Sequence, residues 1–215
     1  MVTNIKTFSA LVLLVVANAL APAAAQQTGA GRAPVSISGA VKAIELPAAP
    51  AGMAWWRIEE IDVAVPVPDG WKQHRKDGPS FRTFAFSDQP LDRNGLFERG
   101  LTVTLLWLPQ LPAGSEAQAT EIMLRGLAAQ IQKSPDNKVL TGTLEEKSGK
   151  RVMVIRYRNA PSGIPPIIVH TMFIGDPRTG LVYQIIYEGP EATWEDNWKI
   201  GEQILKRVYV AFQAG

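Results

Sequence analysis

Val139-Leu140-Thr141-Gly142-Thr143-Leu144-Glu145-Glu146-Lys147-Ser148-Gly149-Lys150-Arg151-Val152-Met153-Val154-Ile155-Arg156-Tyr157-Arg158 is the stretch on which the fold turns. Two runs, Val139 to Glu146 and Arg151 to Arg158, flank Ser148-Gly149. Alternating apolar residues either side of a Gly-containing pair signal a β-hairpin. With Ser148-Gly149 as a two-residue turn, Leu140 faces Tyr157, Gly142 faces Ile155 and Leu144 faces Met153, so every apolar member lies on one face. A slip of one residue would carry all of them to the other face. Glu146 stands opposite Arg151 in the same register, an opposite-charge pair that supports it.

Working outward, Ile167 to Ile174 and Leu181 to Glu188 are two further strands, joined by the turn formers Asp176-Pro177-Arg178-Thr179-Gly180. Upstream, Arg57 to Val65, Phe81 to Phe86 and the apolar Leu101 to Leu108 read as strands. A helix is expected after Ser115, which with Gln118 has the spacing of a capping box, and Leu124, Leu127, Ala128 and Ile131 form its apolar stripe. Pro135 closes it. A last helix starts at Thr193 as N-cap, with Asp196 three residues on, and carries Trp194, Trp198, Gly201, Leu205, Val208 and Phe212 on one stripe. About seven strands, mostly hairpin-connected, with one helix inserted and one at the end, predict an α+β domain on a mainly antiparallel sheet.

The N-terminus has a different character. Lys6 precedes an apolar run from Phe8 to Leu20, and Ala23-Ala24-Ala25 supplies small residues before Gln26, the pattern of a cleaved export signal. The run is shorter than the roughly 17 to 25 residues that span a bilayer. Residues 26–52, rich in Ala, Gly and Pro, read as a flexible linker, and residues 53–215 as a single domain. A periplasmic or secreted product is expected, with no stable membrane insertion after cleavage. Lys6 is the only charged side chain in the signal, so its removal takes the formal charge from +2 to +1, a balance without the basic footprint of a nucleic-acid binder. The chain has no cysteine, which excludes disulfides, a thiol nucleophile and a lipid-bearing cysteine at the cut.

The run Val63-Ala64-Val65-Pro66-Val67-Pro68-Asp69-Gly70-Trp71, the inserted helix and the closing helix expected from Trp194 to Val210 resemble the PsbP-like family of exported domains. The resemblance covers Trp55 to Val210. It implies an α-β-α sandwich, shared with a Ran-binding nuclear import factor and several bacterial periplasmic proteins. It also implies a docking or accessory module rather than an enzyme, and it carries over no functional residue.

Site candidates come from the residues themselves. Arg156 and Arg158 share a strand face with Val152 and Val154, so two guanidinium groups, each suited to carboxylate or phosphate, emerge where the apolar part of that face ends. His170 lies in a strand, on the face of Ile168 and Met172, while His74 sits in a turn beside Arg75 and Lys76. Trp55 and Trp71 are candidates to line a groove, and Trp107, Trp194 and Trp198 are assigned to the core. Asp88, Asp92 and Glu98 offer oxygens in a long loop, but without the spacing of a calcium loop and with Arg93 and Arg99 among them. Ala160 to Pro166 forms a stiff apolar rim, and Ser162 within it has no identifiable base. No catalytic residue, metal site or cofactor is implied. The expected function is an exported binding or accessory module acting on a protein or envelope component. The alternatives are a small-ligand or calcium-binding protein and, after that, a hydrolase acting through His170.

Overall fold

A computed structural model describes residues 39–90, 97–109 and 111–211. The export signal, its cut before Gln26, the first part of the linker, Asp92 and Phe212 lie outside the described residues. The strands are β1 (Met53–Ile58), β2 (Val63–Pro68), β3 (Lys72–Gly78), β4 (Phe81–Ser87), β5 (Gly100–Leu106), β6 (Asn137–Lys147), β7 (Lys150–Asn159), β8 (Ile167–Asp176), β9 (Leu181–Pro190) and β10 (Tyr209–Val210). The helices are α1 (Glu116–Lys133) and α2 (Trp194–Leu205).

The β6–β7 hairpin has the expected register where it leaves the turn: Glu146 opposes Arg151, Leu144 opposes Met153 and Gly142 opposes Ile155. Ser148 and Gly149 have φ of 52° and 71°, the left-handed pair that a type I′ turn requires and that matches the twist of the strands. Higher up the register shifts. Val139, not Leu140, opposes Tyr157, because Leu140 is the extra residue of a β-bulge.

Seven strands form one sheet in the order β3-β4-β5-β9-β8-β7-β6, with every pairing antiparallel. Period-two alternation gives this sheet two apolar faces. Met153, Ile155, Tyr157, Val169 and Phe173 meet Met123, Leu124, Leu127 and Ile131 of α1 on one side. Phe84, Leu101, Val103, Ile185 and Tyr187 meet Trp194 and Ile204 of α2, together with Val63, Val65 and Val67 of a second sheet, on the other. That second sheet has the order β1-β2-β10. The domain is therefore α+β, with the sheet between two helix-bearing layers.

Several elements differ from the sequence expectation. The single strand expected over Arg57 to Val65 is two strands, folded back at Glu59–Ile61 so that Ile58 opposes Val63. Asp62 makes the reversal at φ 54°, a conformation short polar side chains tolerate. His74 lies in strand β3 opposite Ala85 rather than in a turn. The final helix stops at Leu205, and Tyr209-Val210 pairs with Val63-Ala64 instead, because the outer edge of β2 offers backbone partners to a β-branched and aromatic segment. Neither expected helix cap forms. The Ser115 hydroxyl donates to the Pro112 carbonyl at 2.5 Å, and Thr193 Oγ1 accepts from Asn197 Nδ2 at 2.8 Å.

The described part of the expected linker is packed. A short 3-10 turn over Ala40–Ala43 buries Val41 completely, its N–H donates to Asp62 Oδ1 at 3.2 Å, and Ile44 and Leu46 pack beside it. Trp55 Nε1 holds the Pro47 carbonyl at 2.7 Å.

Candidate functional site

The antiparallel pairing of β7 with β8 places Arg156 directly across from His170, and Arg156 Nε donates to His170 Nδ1 at 3.2 Å. Helix α2 crosses the same face and adds two indoles. The Arg156 guanidinium lies 4.1 Å from the centre of the Trp198 ring and 5.6 Å from that of Trp194. Trp194 and Trp198, four residues apart and so on one side of α2, stack with centroids 5.3 Å apart at 20°. His170 leans on Trp198 at 4.6 Å. Tyr187 braces the platform, edge-on to Trp198 and with its hydroxyl donating to the Asn197 carbonyl at 2.8 Å.

Burial, and then the neighbouring Arg156 charge, push His170 down to about 4. The ring is neutral at physiological pH, and with Nδ1 accepting from Arg156 its proton sits on Nε2. This makes His170 a poor general base, since its free lone pair is taken and its protonated form is disfavoured. Burial also lowers the Arg156 guanidinium from its ordinary value, opposed by Glu195 and Glu202 of α2. An arginine remains charged even so. Arg156 is thus a half-buried cation held flat by stacking, with Nε occupied and no acceptor for its two Nη atoms among the described residues. This geometry suits a carboxylate or phosphate oxygen arriving from outside.

Folding therefore depends on His170 staying neutral. The unfolded ring takes up its proton near pH 6.5 and the folded ring near 4. Between these values the unfolded chain binds the extra proton, so stability is full above about pH 6.5 and falls as pH drops toward 4. Urea unfolding of the protein and of His170→Gln, at about pH 7.5 and about pH 5, checks this. The variant is expected to lose less stability on acidification, and equal losses would contradict the assignment.

The other candidates are dispersed. Arg158 does not join Arg156, because its Nε is held by both oxygens of Glu191 at 2.8 and 3.0 Å. Trp71 is buried in the core beneath the three-stranded sheet, while Trp55 packs with Val41, Ala64 and Ala211 in a separate cluster, so the two do not share a groove. Asp88 forms an ion pair with Arg99, whose Nη1 also reaches Asn197 Oδ1 at 3.1 Å. Among the described residues no three His, Asp or Glu side chains gather as metal ligands, and no helix is long and apolar enough to cross a membrane. The loop from Ala160 to Pro166 carries an exposed Ser162 and Pro165, and the Pro166 carbonyl accepts the Glu191 N–H at 3.0 Å. Arg156 and His170 are legible as site residues in the sequence, whereas the helical stripe places Trp194 and Trp198 alike in the core. Trp194 is buried there, whereas Trp198 is only partly covered and supplies the platform.

No protein-family model and no curated protein matches this chain. Similar solved structures include cyanobacterial PsbP (CyanoP) from Synechocystis, at 13% identity over 75% of this chain and 94% of that one, TM-score 0.48. LpqN of Mycobacterium tuberculosis, described as involved in cell envelope biogenesis, matches at 14% identity over 70% of this chain and 83% of that one, TM-score 0.46. The Saccharomyces cerevisiae Ran-binding protein Mog1p matches at 10% identity over 74% and 95%, TM-score 0.41. A cyanobacterial PsbP and a Ran-binding protein are thus both among the similar structures.

Proposed function

We propose that this chain is an exported, non-enzymatic binding or accessory module, a single domain delivered by residues 1–25 to the periplasm or beyond. It engages a protein or envelope component through an acidic group seated on Arg156. The observation that carries this reading is the state of that guanidinium: stacked on Trp198, steered by His170, and open at both Nη atoms. A preorganised cation loses little side-chain freedom on binding, and its partial burial strengthens a charge-assisted hydrogen bond. The neighbouring Ala160 to Pro166 loop, tied to the same region through Pro166 and Glu191, supplies an apolar rim.

A photo-reactive residue placed at the exposed Glu195, and separately at Ser162, tests this in cells. One defined crosslinked product is expected from both positions. Adding Arg156→Ala is expected to weaken the interaction by about 10- to 100-fold, the worth of a hydrogen bond to a charged group. Failure to trap a product, or a product unaffected by Arg156→Ala, would overturn the proposal.

A further inference from the structure

The two edges of the seven-stranded sheet are built differently. The outer strand β3 reads Lys72-Gln73-His74-Arg75-Lys76-Asp77-Gly78, and such charges discourage another strand from pairing there. The opposite edge, β6, is 11 residues long and exposed almost throughout, with six consecutive uncharged residues from Val139 to Leu144. Val139 is 41% exposed, Leu140 45% and Leu144 55%, and Ile122 of the adjacent α1 is 46% exposed. Outside the hairpin, none of the described backbone hydrogen bonds reaches residues 138–147. A long apolar edge with open backbone groups is a template for another strand.

The order of residues along β6 says which strand. Leu140-Thr141-Gly142-Thr143-Leu144 reads the same in both directions. A two-fold axis through Gly142 sets two antiparallel copies against each other like for like: Leu140 meets Leu144 of the other copy, Thr141 meets Thr143, and glycine meets glycine. A self-complementary patch is what an isologous interface needs, and aliphatic and Thr–Thr cross-strand pairs are favourable ones. Beyond this core, Lys138 of each copy comes beside Glu145-Glu146 of the other, so the ends match in charge as well. The bulge at Leu140 lies at the limit of the palindrome and leaves Thr141 to Leu144 regular.

We infer that β6 is a homodimer interface, joining two seven-stranded sheets edge to edge through Leu140–Leu144 in antiparallel register. The surface is the strand next to the Arg156 site, with Thr141 opposite Arg156 in the β6–β7 pairing, but it is used through its outer edge and does not depend on the proposed ligand. Sedimentation equilibrium of the protein over a dilution series is expected to show a species of twice the chain mass that dissociates to monomer. Replacing the exposed pair, Leu140→Lys with Leu144→Lys, is expected to abolish the doubled species with the circular dichroism spectrum unchanged, and to leave a thermal midpoint that no longer rises with protein concentration.

Because the chain has no cysteine, a single introduced thiol reports the register directly. A side chain at Gly142 has room, its Cβ lying 3.9 Å from the nearest neighbouring atom, the Val154 carbonyl oxygen. Residues facing each other across an antiparallel axis have Cα atoms about 4.5 to 5.5 Å apart, within the reach of a disulfide. Gly142→Cys is expected to oxidise to a covalent dimer faster than Lys76→Cys on the charged edge. A protein that stays monomeric, a dimer that survives both lysines, or crosslinking at Gly142→Cys no faster than at Lys76→Cys would each overturn the proposal.

Discussion

Lys150→Ala is expected to lower the unfolding free energy by about 3 to 5 kcal/mol at neutral pH, the cost of leaving a buried charge without its partner. Lys150, at the start of β7, forms an ion pair with Asp176, at the end of β8, and the two residues are 6% and 1% exposed. The carboxylate also accepts the Arg178 N–H at 3.0 Å, and the Asp176 carbonyl accepts the Thr120 hydroxyl of α1 at 3.1 Å. Burial works to raise the Asp176 carboxyl, but the Lys150 and Arg178 bonds outweigh it and hold the group below its ordinary range. A carboxylate lowered in this way contributes stability that is full above the unfolded value, near 3.9, and is lost as pH falls through the lower folded value. The deficit of the variant is therefore expected to be largest near neutrality and to shrink in strong acid. Urea unfolding of both proteins at about pH 7 and about pH 3 measures this. A deficit below about 1 kcal/mol at neutral pH would mean that Arg178 alone suffices for Asp176.

Gly201→Ala and Gly126→Ala are expected to have opposite signs, although both place alanine inside a helix. Alanine is the better helix former by about 1 kcal/mol where nothing obstructs it. At Gly126 of α1 an added Cβ meets nothing within 4 Å, so a gain of up to that size is expected. At Gly201 of α2 the same Cβ would lie 2.4 Å from the Tyr187 ring. Tyr187 cannot swing aside, being fully buried and tied by its hydroxyl to the Asn197 carbonyl of the same helix. Helix and sheet must part, and the expected loss is about 1 to 3 kcal/mol or more, a drop in melting temperature of several degrees for a domain of this size. Thermal unfolding of the two variants side by side checks both. Stabilisation by Gly201→Ala would show that α2 does not rest on β9 through this glycine.

The hairpin from Val139 to Arg158 is legible in sequence because a period of two, a turn with Gly and an opposite-charge pair all agree. The bulge at Leu140 is not, since inserting one residue leaves the apolar composition unchanged. The division of Arg57 to Val65 into two strands is hidden for a similar reason: Glu59 and Glu60 look like the polar members of an alternating strand, and only the left-handed backbone at Asp62 marks the reversal. Strand β3 lacks an apolar face and is defined by its pairing with β4, which composition cannot supply. The apolar stripe of α2 continues past Leu205 in the sequence because Val208 does reach the same core, but from a connector rather than a helix. In the candidate site, Arg156 and His170 are each legible as strand residues. Their meeting depends on the β7–β8 register, and the indole platform depends on which sheet face α2 covers.

The contacts of Asp62 give the domain a mechanical property. Its side chain takes the Val41 N–H, and its backbone carbonyl takes the Ala211 N–H at 2.8 Å, so the first and last described segments are fastened to one residue of the small sheet. Tension applied between the two ends is borne first by this clasp and by the Val41, Ala64 and Ala211 cluster around it.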